Sequence, residues 1–131
     1  MRRGDPMNIH AYWQAVLSQN AAAMREFLSP SAVIRWPNTN EEFTSEEFIR
    51  ANCEYPGHWA GEVLRTETVR DLVITAVHVS AAWDPAVSFH VVSFIQLDGG
   101  RIAAMDEYWG DDGPPPQWRR ELGLGKKIRE V

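Results

Sequence analysis

The segment SFHVVSFIQLDGGRIAAMDEYW, residues 88–109, consists of two β-prone runs on either side of a glycine pair. Asp98-Gly99-Gly100 separates the two runs. Such runs joined by Gly-Gly are typical of a β-hairpin with a type I′ turn, because glycine adopts positive φ at both central positions without a steric penalty. The segment therefore predicts a long hairpin.

A type I′ turn at Gly99-Gly100 also predicts which residues face each other across the hairpin. Leu97 lies opposite Ile102 in this register, and side chains then alternate between the two faces. One face is predicted to carry His90, Val92, Phe94, Met105, Glu107 and Trp109. The other is predicted to carry Phe89, Val91, Ser93, Ile95, Ala104, Asp106 and Tyr108. Both faces are mostly apolar, which indicates that helices cover one and a second subunit covers the other.

The chain before this hairpin predicts two helices, a strand, a third helix and another long hairpin. Asp5-Pro6 and Asn20 are cap signals for helices over about 6–19 and 21–28, with Ser29-Pro30-Ser31 ending the second. Thr44 and Glu47 form a capping box for the third helix. Strands are predicted over 32–36, 58–68 and 72–83. We expect one domain over 1–112 and a Pro-rich tail over 113–131.

The composition is that of an ordinary globular domain. Of 131 residues, 44% are hydrophobic and 24% are charged. The formal net charge of -5 and the scattered basic residues argue against a nucleic-acid partner. The single cysteine, Cys53, excludes an internal disulfide, and the sequence shows neither a secretory signal nor a run of ~20 apolar residues that would span a membrane. We therefore expect a cytoplasmic protein.

Six tryptophans in a chain of this size are typical of a pocket or an interface, because large rings often line both, and the composition does not distinguish the two. The alternative is that these rings fill the core. No metal or other cofactor is expected, because the sequence lacks an HxH motif, a His-Glu-x-x-His motif and a second cysteine. The candidate pocket residues are Tyr12, Trp13, Trp36, Trp59, Val92, Phe94, Met105 and Trp109.

Glu107 and His90 are diagonal neighbours in the predicted register, and this pair is the best candidate for acid–base chemistry. In an apolar cavity, desolvation raises the pKa of a carboxyl, and a neighbouring imidazole opposes that rise. The alternative interpretation is a buried hydrogen-bonded pair with a structural role only.

The order helix, helix, strand, helix and two hairpins resembles the nuclear transport factor 2-like superfamily, which includes ketosteroid isomerases and SnoaL-like polyketide cyclases. The resemblance spans about residues 8–111. It implies an α+β, cone-shaped fold in which N-terminal helices pack on a curved, mainly antiparallel sheet around a pocket for a small, largely apolar molecule. The segments that carry it are Ala32-Val33-Ile34-Arg35-Trp36-Pro37, the helix capped at Thr44, Gly100-Arg101-Ile102 and Met105-Asp106-Glu107-Tyr108-Trp109-Gly110.

The resemblance also assigns roles to individual residues. Tyr12 matches the oxyanion-hole tyrosine of the isomerases, but Trp36 stands where their base belongs and Val92 where they have a protonated aspartic acid. An indole cannot abstract a proton, so steroid isomerisation by that mechanism is not expected. The cyclases carry an acid–base aspartate on their last strand at the position of Glu107.

Two functions follow from these observations. In the first, a SnoaL-like protein binds a small apolar or aromatic molecule and acts as an isomerase, cyclase or hydrolase. Glu107 then moves the substrate proton, His90 tunes or relays it, and Tyr12 donates a hydrogen bond to a developing oxyanion. In the second, the domain is a non-catalytic binding or dimerisation module. Its outer face would then meet a partner through Phe89, Val91, Ile95 and Tyr108. We expect a homodimer in both cases.

Overall fold

The computed structural model describes residues 7–129. These residues form one six-stranded sheet with helices packed on it, and the predicted α+β class with a curved, mainly antiparallel sheet is confirmed. The elements are α1 Ile9–Leu17, α2 Ala21–Phe27, β1 Leu28–Trp36, β2 Glu41–Thr44, α3 Ser45–Cys53, β3 Trp59–Val69, β4 Leu72–Ala81, β5 Asp84–Asp98, β6 Arg101–Asp111 and α4 Gln117–Glu121. The strand order is β2-β1-β6-β5-β4-β3. Only β1 and β6 run parallel among these described strands.

Side-chain caps determine where the first three helices begin. Asn8 and Asn20 accept hydrogen bonds from the first turns of α1 and α2, at 3.0 Å and 3.1 Å. Thr44 and Glu47 form the predicted capping box of α3. The predicted cap at Asp5-Pro6 lies outside the described residues. Within the described part of the chain, no helix is both long and apolar enough to cross a membrane.

The start of β1 differs from the sequence prediction. The sequence predicts that Ser29, Pro30 and Ser31 end α2, but these residues lie inside β1, which begins at Leu28. Leu28 is buried and pairs with Ile102 of β6, a tertiary contact that local turn signals do not reveal. The short strand β2 and the tail helix α4 were not predicted either.

The core lies between the inner face of the sheet and the first three helices. α1 packs on β3, α2 on β1 and β6, and α3 on β1 and β2. Ile34, Val77, Val91 and Ile95 are fully buried on the inner face of three different strands. Each such side chain stabilises the fold by roughly 1.5–3 kcal/mol relative to leaving it exposed.

The hairpin of β5 and β6 has the predicted turn but a different register. Gly99 and Gly100 have φ values of 62° and 81°, and Leu97 pairs with Ile102 as predicted. The next pair joins Gln96 to Ala104, so Ala103 is an extra residue on β6, a β-bulge. Beyond the bulge every partner is shifted by one residue.

Because a slip of one residue moves each side chain to the other side of a sheet, the β5 residues that are predicted to share a face with Glu107 lie on the opposite face instead. Glu107 lies opposite Ser93 rather than Val92, and Met105 lies opposite Ile95 rather than Phe94. The predicted sharing of a face by His90 and Glu107 is therefore wrong. The inner face carries Phe89, Val91, Ser93, Ile95, Met105, Glu107 and Trp109; the outer face carries His90, Val92, Phe94, Asp106 and Tyr108.

Candidate functional site

A cavity of about 290 Å³ lies between α1, α3 and the inner face of the sheet. Six of its lining residues are aromatic: Trp13, Trp36, Tyr55, Trp59, Phe89 and Trp109. The remaining lining residues are Val16, Leu17, Gln19, Asn38, Thr39, Ala51, Asn52, Val79 and Asp111. The interior is thus mainly apolar, as small-molecule sites usually are.

Five of the rings form a continuous aromatic row along the cavity: Tyr55, Trp59, Phe89, Trp109 and Trp36. Neighbouring ring centroids in the row are 5.2 Å, 5.5 Å, 4.9 Å and 5.9 Å apart. Tyr55 stacks on Trp59, and the other contacts are tilted or edge-to-face. These are the geometries that aromatic pairs prefer, so the rings hold each other in place.

Hydrogen bonds fix three of the four tryptophan rings in the wall. The indole N–H groups of Trp13, Trp36 and Trp59 donate to Thr75 Oγ1, Glu107 Oε1 and the Pro56 carbonyl, at 3.3 Å, 3.0 Å and 3.1 Å. Trp109 Nε1 is buried and has no acceptor among the described residues. A buried N–H without an acceptor lowers the stability of the fold by roughly 1–3 kcal/mol. The indole N–H of Trp109 is thus a hydrogen-bond donor in the cavity wall that lacks an acceptor within the described residues.

The rim of the cavity is polar and exposed, with Asn38, Thr39 and Asp111 on it. Asn38 accepts a hydrogen bond from the backbone N–H of Trp109 at 3.1 Å, which ties the loop after β1 to β6. Asp111 is the one charged side chain among the lining residues that the structure describes. The electrostatic character of the rim is therefore negative.

Glu107 lies on the inner face, where its side chain is only 1% exposed. Trp36 Nε1 donates to one carboxyl oxygen at 3.0 Å, and Ser93 Oγ donates to the other at 2.6 Å. Burial raises the pKa of Glu107, and the two hydrogen bonds offset this rise only in part. Glu107 is not a lining residue of the cavity, but Trp36 connects its carboxyl directly to the wall.

Tyr12 and Met105 belong to the buried core rather than to the cavity wall. The Tyr12 hydroxyl contacts Met105 Sδ at 3.9 Å. Burial, and then the negative charge of Glu107, raise the pKa of Tyr12 well above its usual value. A direct hydrogen bond from Tyr12 to a molecule in the cavity is not compatible with this placement.

Three further predicted site residues lie on the outer face of the sheet, away from the cavity. His90 is half-exposed and its Nδ1 contacts Asp112 rather than Glu107. Phe94 is 40% exposed, and neither it nor Val92 lines the cavity. The predicted Glu107–His90 pair and the predicted contribution of Val92 and Phe94 to the pocket are therefore wrong. The cause is the bulge at Ala103.

Trp13, Trp36, Trp59 and Trp109 do line the cavity. Sequence reasoning missed Tyr55, Phe89, Asp111 and Ser93. Phe89 and Ser93 were assigned to the wrong face with the rest of β5. Tyr55 lies just before Pro56-Gly57, and no periodic pattern covers it.

Residues 9–105 match the family model of the SnoaL-like domain. The chain belongs to this family. The match covers most of the described residues and includes every helix and strand through β5, which is the part that builds the helical side of the cavity. No curated protein matches the sequence.

Solved structures support the same fold. A candidate ketosteroid isomerase from Kribbella flavida has a TM-score of 0.76 and 20% identity, over 93% of this chain and 88% of its own. An LEH-like epoxide hydrolase from M. tuberculosis has a TM-score of 0.65 and 16% identity, over 78% and 79%. A protein with a ketosteroid isomerase-like fold from Catenulispora acidiphila, in complex with trimethylamine, has a TM-score of 0.63 and 11% identity, over 76% and 82%. The resemblance to the nuclear transport factor 2-like superfamily is thus confirmed at the level of the fold.

The raised pKa of Glu107 predicts a pH-dependent stability. The folded protein binds the Glu107 proton at higher pH than the unfolded chain does, so this contribution to stability is largest at low pH and falls as pH rises through the raised pKa. Glu107→Gln carries no charge and keeps an oxygen that can accept from Trp36. We expect the variant to gain stability relative to the wild type as pH rises from the ordinary glutamate range to neutrality.

Urea denaturation at several pH values measures this difference. A free-energy difference between variant and wild type that stays constant with pH would show that Glu107 does not titrate abnormally. Glu62→Gln, an exposed glutamate on β3, is the matched control.

Proposed function

We propose that this SnoaL-like protein binds a small, largely apolar or aromatic molecule in the cavity. The observation that carries the proposal is the continuous aromatic row, which offers ring faces and edges to a bound molecule. The volume of about 290 Å³ is at the lower end of the range of roughly 300–1,000 Å³ for ligand sites. The ligand is therefore compact, with one or two rings or a short branched chain.

The charges at the cavity favour a neutral or positively charged ligand over an anion. Asp111 is the one charged lining residue in the described part of the chain, and it is negative. Aromatic faces attract cations through their quadrupole, an interaction worth roughly 0.5–2 kcal/mol. The complex of the Catenulispora acidiphila protein with trimethylamine is in line with this preference.

A second candidate function, catalysis by proton transfer, is favoured by the environment of Glu107. A buried carboxyl whose pKa is raised by desolvation is a candidate to donate and accept a proton. Trp36 links this carboxyl to the cavity, and in this proposal its indole turns away from Glu107 when a substrate binds. His90 takes no part, because it lies on the other face of the sheet.

Isomerase, cyclase and hydrolase chemistry all fit a single acid–base carboxyl in an apolar site. Among the similar structures, the isomerase candidate and the epoxide hydrolase represent two of these classes. If Glu107 has no catalytic role, the domain is a ligand-binding module with the same cavity.

We further propose that the protein is a homodimer joined through the outer face of the sheet. Val92, Phe94 and Tyr108 lie on this face, and Phe94 and Tyr108 are 40% and 46% exposed. Their rings meet edge-to-face with centroids 6.0 Å apart, so they form one apolar patch. An exposed apolar patch of this kind usually marks a surface that another protein chain covers. The predicted outer-face residues Phe89, Val91 and Ile95 are inside instead and take no part.

The proposed setting is the cytoplasm, without a nucleic-acid partner. The single cysteine is in line with a reducing compartment. The net charge of -5 supports the absence of binding to a phosphate backbone.

Ligand binding can be tested with benzyltrimethylammonium and benzoate as paired probes. We expect the cation to bind measurably better than the anion, because it meets ring faces and Asp111. Trp109→Leu should weaken binding of the cation about tenfold, or about 1.4 kcal/mol. Trp118→Leu is the control, because Trp118 is 58% exposed in the tail and lines no part of the cavity. Calorimetry measures both probes with the wild type and with each variant. Equal binding of the two probes to the wild type would contradict the charge argument.

Catalysis can be tested with epoxide, enolisable ketone and polyketide-like substrates. Glu107→Gln should lower turnover of any active substrate at least 10²-fold, because the proton-transfer group is lost. The same variant should keep its affinity for benzyltrimethylammonium. Undiminished turnover with intact binding would eliminate Glu107 as the acid–base group and leave the binding function in place.

The homodimer can be tested by light scattering at micromolar concentration. The wild type should have the mass of two chains, and Phe94→Lys should have the mass of one. Leu124→Lys, at an exposed tail position, should leave the dimer intact. A monomeric wild type would contradict the proposal.

A further inference from the structure

Three potential metal ligands meet on the outer face of the sheet, at the end where β5 begins and β6 ends. They are His78 of β4, His90 of β5 and Asp112, which directly follows β6. His78 and His90 are directly opposite each other across the two strands, and their ring centroids are 4.8 Å apart. The backbone N–H of Asp112 donates to the Ser88 carbonyl at 3.0 Å, which places its side chain beside both rings.

The ligand atoms are already close to each other. His78 Nε2 lies 3.2 Å from Asp112 Oδ2, and His90 Nδ1 lies 2.5 Å from Asp112 Oδ1. One ligand atom from each residue lies within 4.8 Å of the other two. In a tetrahedral site with bonds of about 2.0–2.1 Å, ligand atoms are about 3.3 Å apart. Small side-chain rotations therefore bring all three atoms to the distances that an ion requires.

We propose that His78, His90 and Asp112 bind a divalent transition-metal ion of the Zn²⁺ type. Two imidazole nitrogens and one carboxylate are donors that suit Zn²⁺ and its neighbours in the first transition row. Mg²⁺ and Ca²⁺ prefer oxygen ligands and fit this set poorly. The three side chains are 24%, 46% and 27% exposed, so an ion can enter from solvent and keep a water as a further ligand.

The surroundings of Asp112 support this assignment. Ser88 Oγ donates to Asp112 Oδ2 at 2.7 Å, an outer partner of the kind that orients metal-binding carboxylates. Glu62, opposite His78 on β3, adds negative charge to the same face.

The site is separate from the cavity, although the two are adjacent along the chain. Asp111 lines the cavity on the inner side, and Asp112 turns to the outer side of the sheet. A bound ion would fasten the end of β6 to β4 and β5. Because the ion binds the folded chain, it should also raise the unfolding temperature.

The experiment is titration of the untagged, EDTA-treated protein with ZnCl₂ and, separately, MgCl₂ by calorimetry, together with thermal unfolding. We expect one Zn²⁺ per chain, a higher unfolding temperature with Zn²⁺, and no response to Mg²⁺. Asp112→Asn and His90→Gln should each weaken Zn²⁺ binding at least tenfold. Ser88→Ala should weaken Zn²⁺ binding about tenfold, because Asp112 then loses the hydrogen bond that orients its carboxylate.

His10→Gln is the matched control, since His10 is exposed on α1, which packs on the inner side of the sheet, whereas this cluster lies on the outer face. It should bind Zn²⁺ like the wild type. The proposal is overturned if the wild type shows no Zn²⁺ binding at submillimolar concentration, or if Asp112→Asn and His90→Gln, confirmed as folded by circular dichroism, bind as well as the wild type.

Discussion

The β-bulge at Ala103 determines which side chains of β5 and β6 lie on each face of the sheet. Ile102 and Met105 are three positions apart, yet both are buried on the inner face, which is possible only because the bulge absorbs one residue between them. After the bulge, strict alternation brings Glu107, Trp109 and Asp111 to the inner side. The same alternation sends Asp106 and Tyr108 outward. The position of one small residue thus decides which chemical groups reach the cavity.

Glu107 is the polar centre of the inner face and joins three strands of the sheet. Its carboxyl accepts from Trp36 on β1 and from Ser93 on β5, while its backbone belongs to β6. Burial of a carboxyl without such partners costs several kcal/mol, and the two hydrogen bonds offset part of that cost. Carboxyls in such perturbed environments are common at functional sites, and this is the reason for the acid–base role proposed above.

The two faces of the sheet have different chemistry although the same strands supply both. The inner face presents rings and a buried carboxyl, as expected for a site that binds a compact, weakly polar molecule. The outer face presents an apolar patch around Phe94 and Tyr108 and, toward the end of the sheet, imidazoles with a carboxylate. A molecule in the cavity would contact Trp109 and Asp111 at the end of β6, and an ion on the outer face would bind the next residue, Asp112.

The sequence by itself determined the local elements of this protein. Asn20, the Thr44–Glu47 box and Gly99-Gly100 predicted two helix starts and a turn correctly, because caps and turns depend on neighbouring residues. Four of the six tryptophans line the cavity, although the tryptophan content alone does not distinguish a pocket from an interface. Only the tertiary structure decided the register beyond the turn, the face of His90, and the meeting of His78, His90 and Asp112. These depend on a bulge and on pairing between strands distant in sequence, and no local pattern of side chains encodes either.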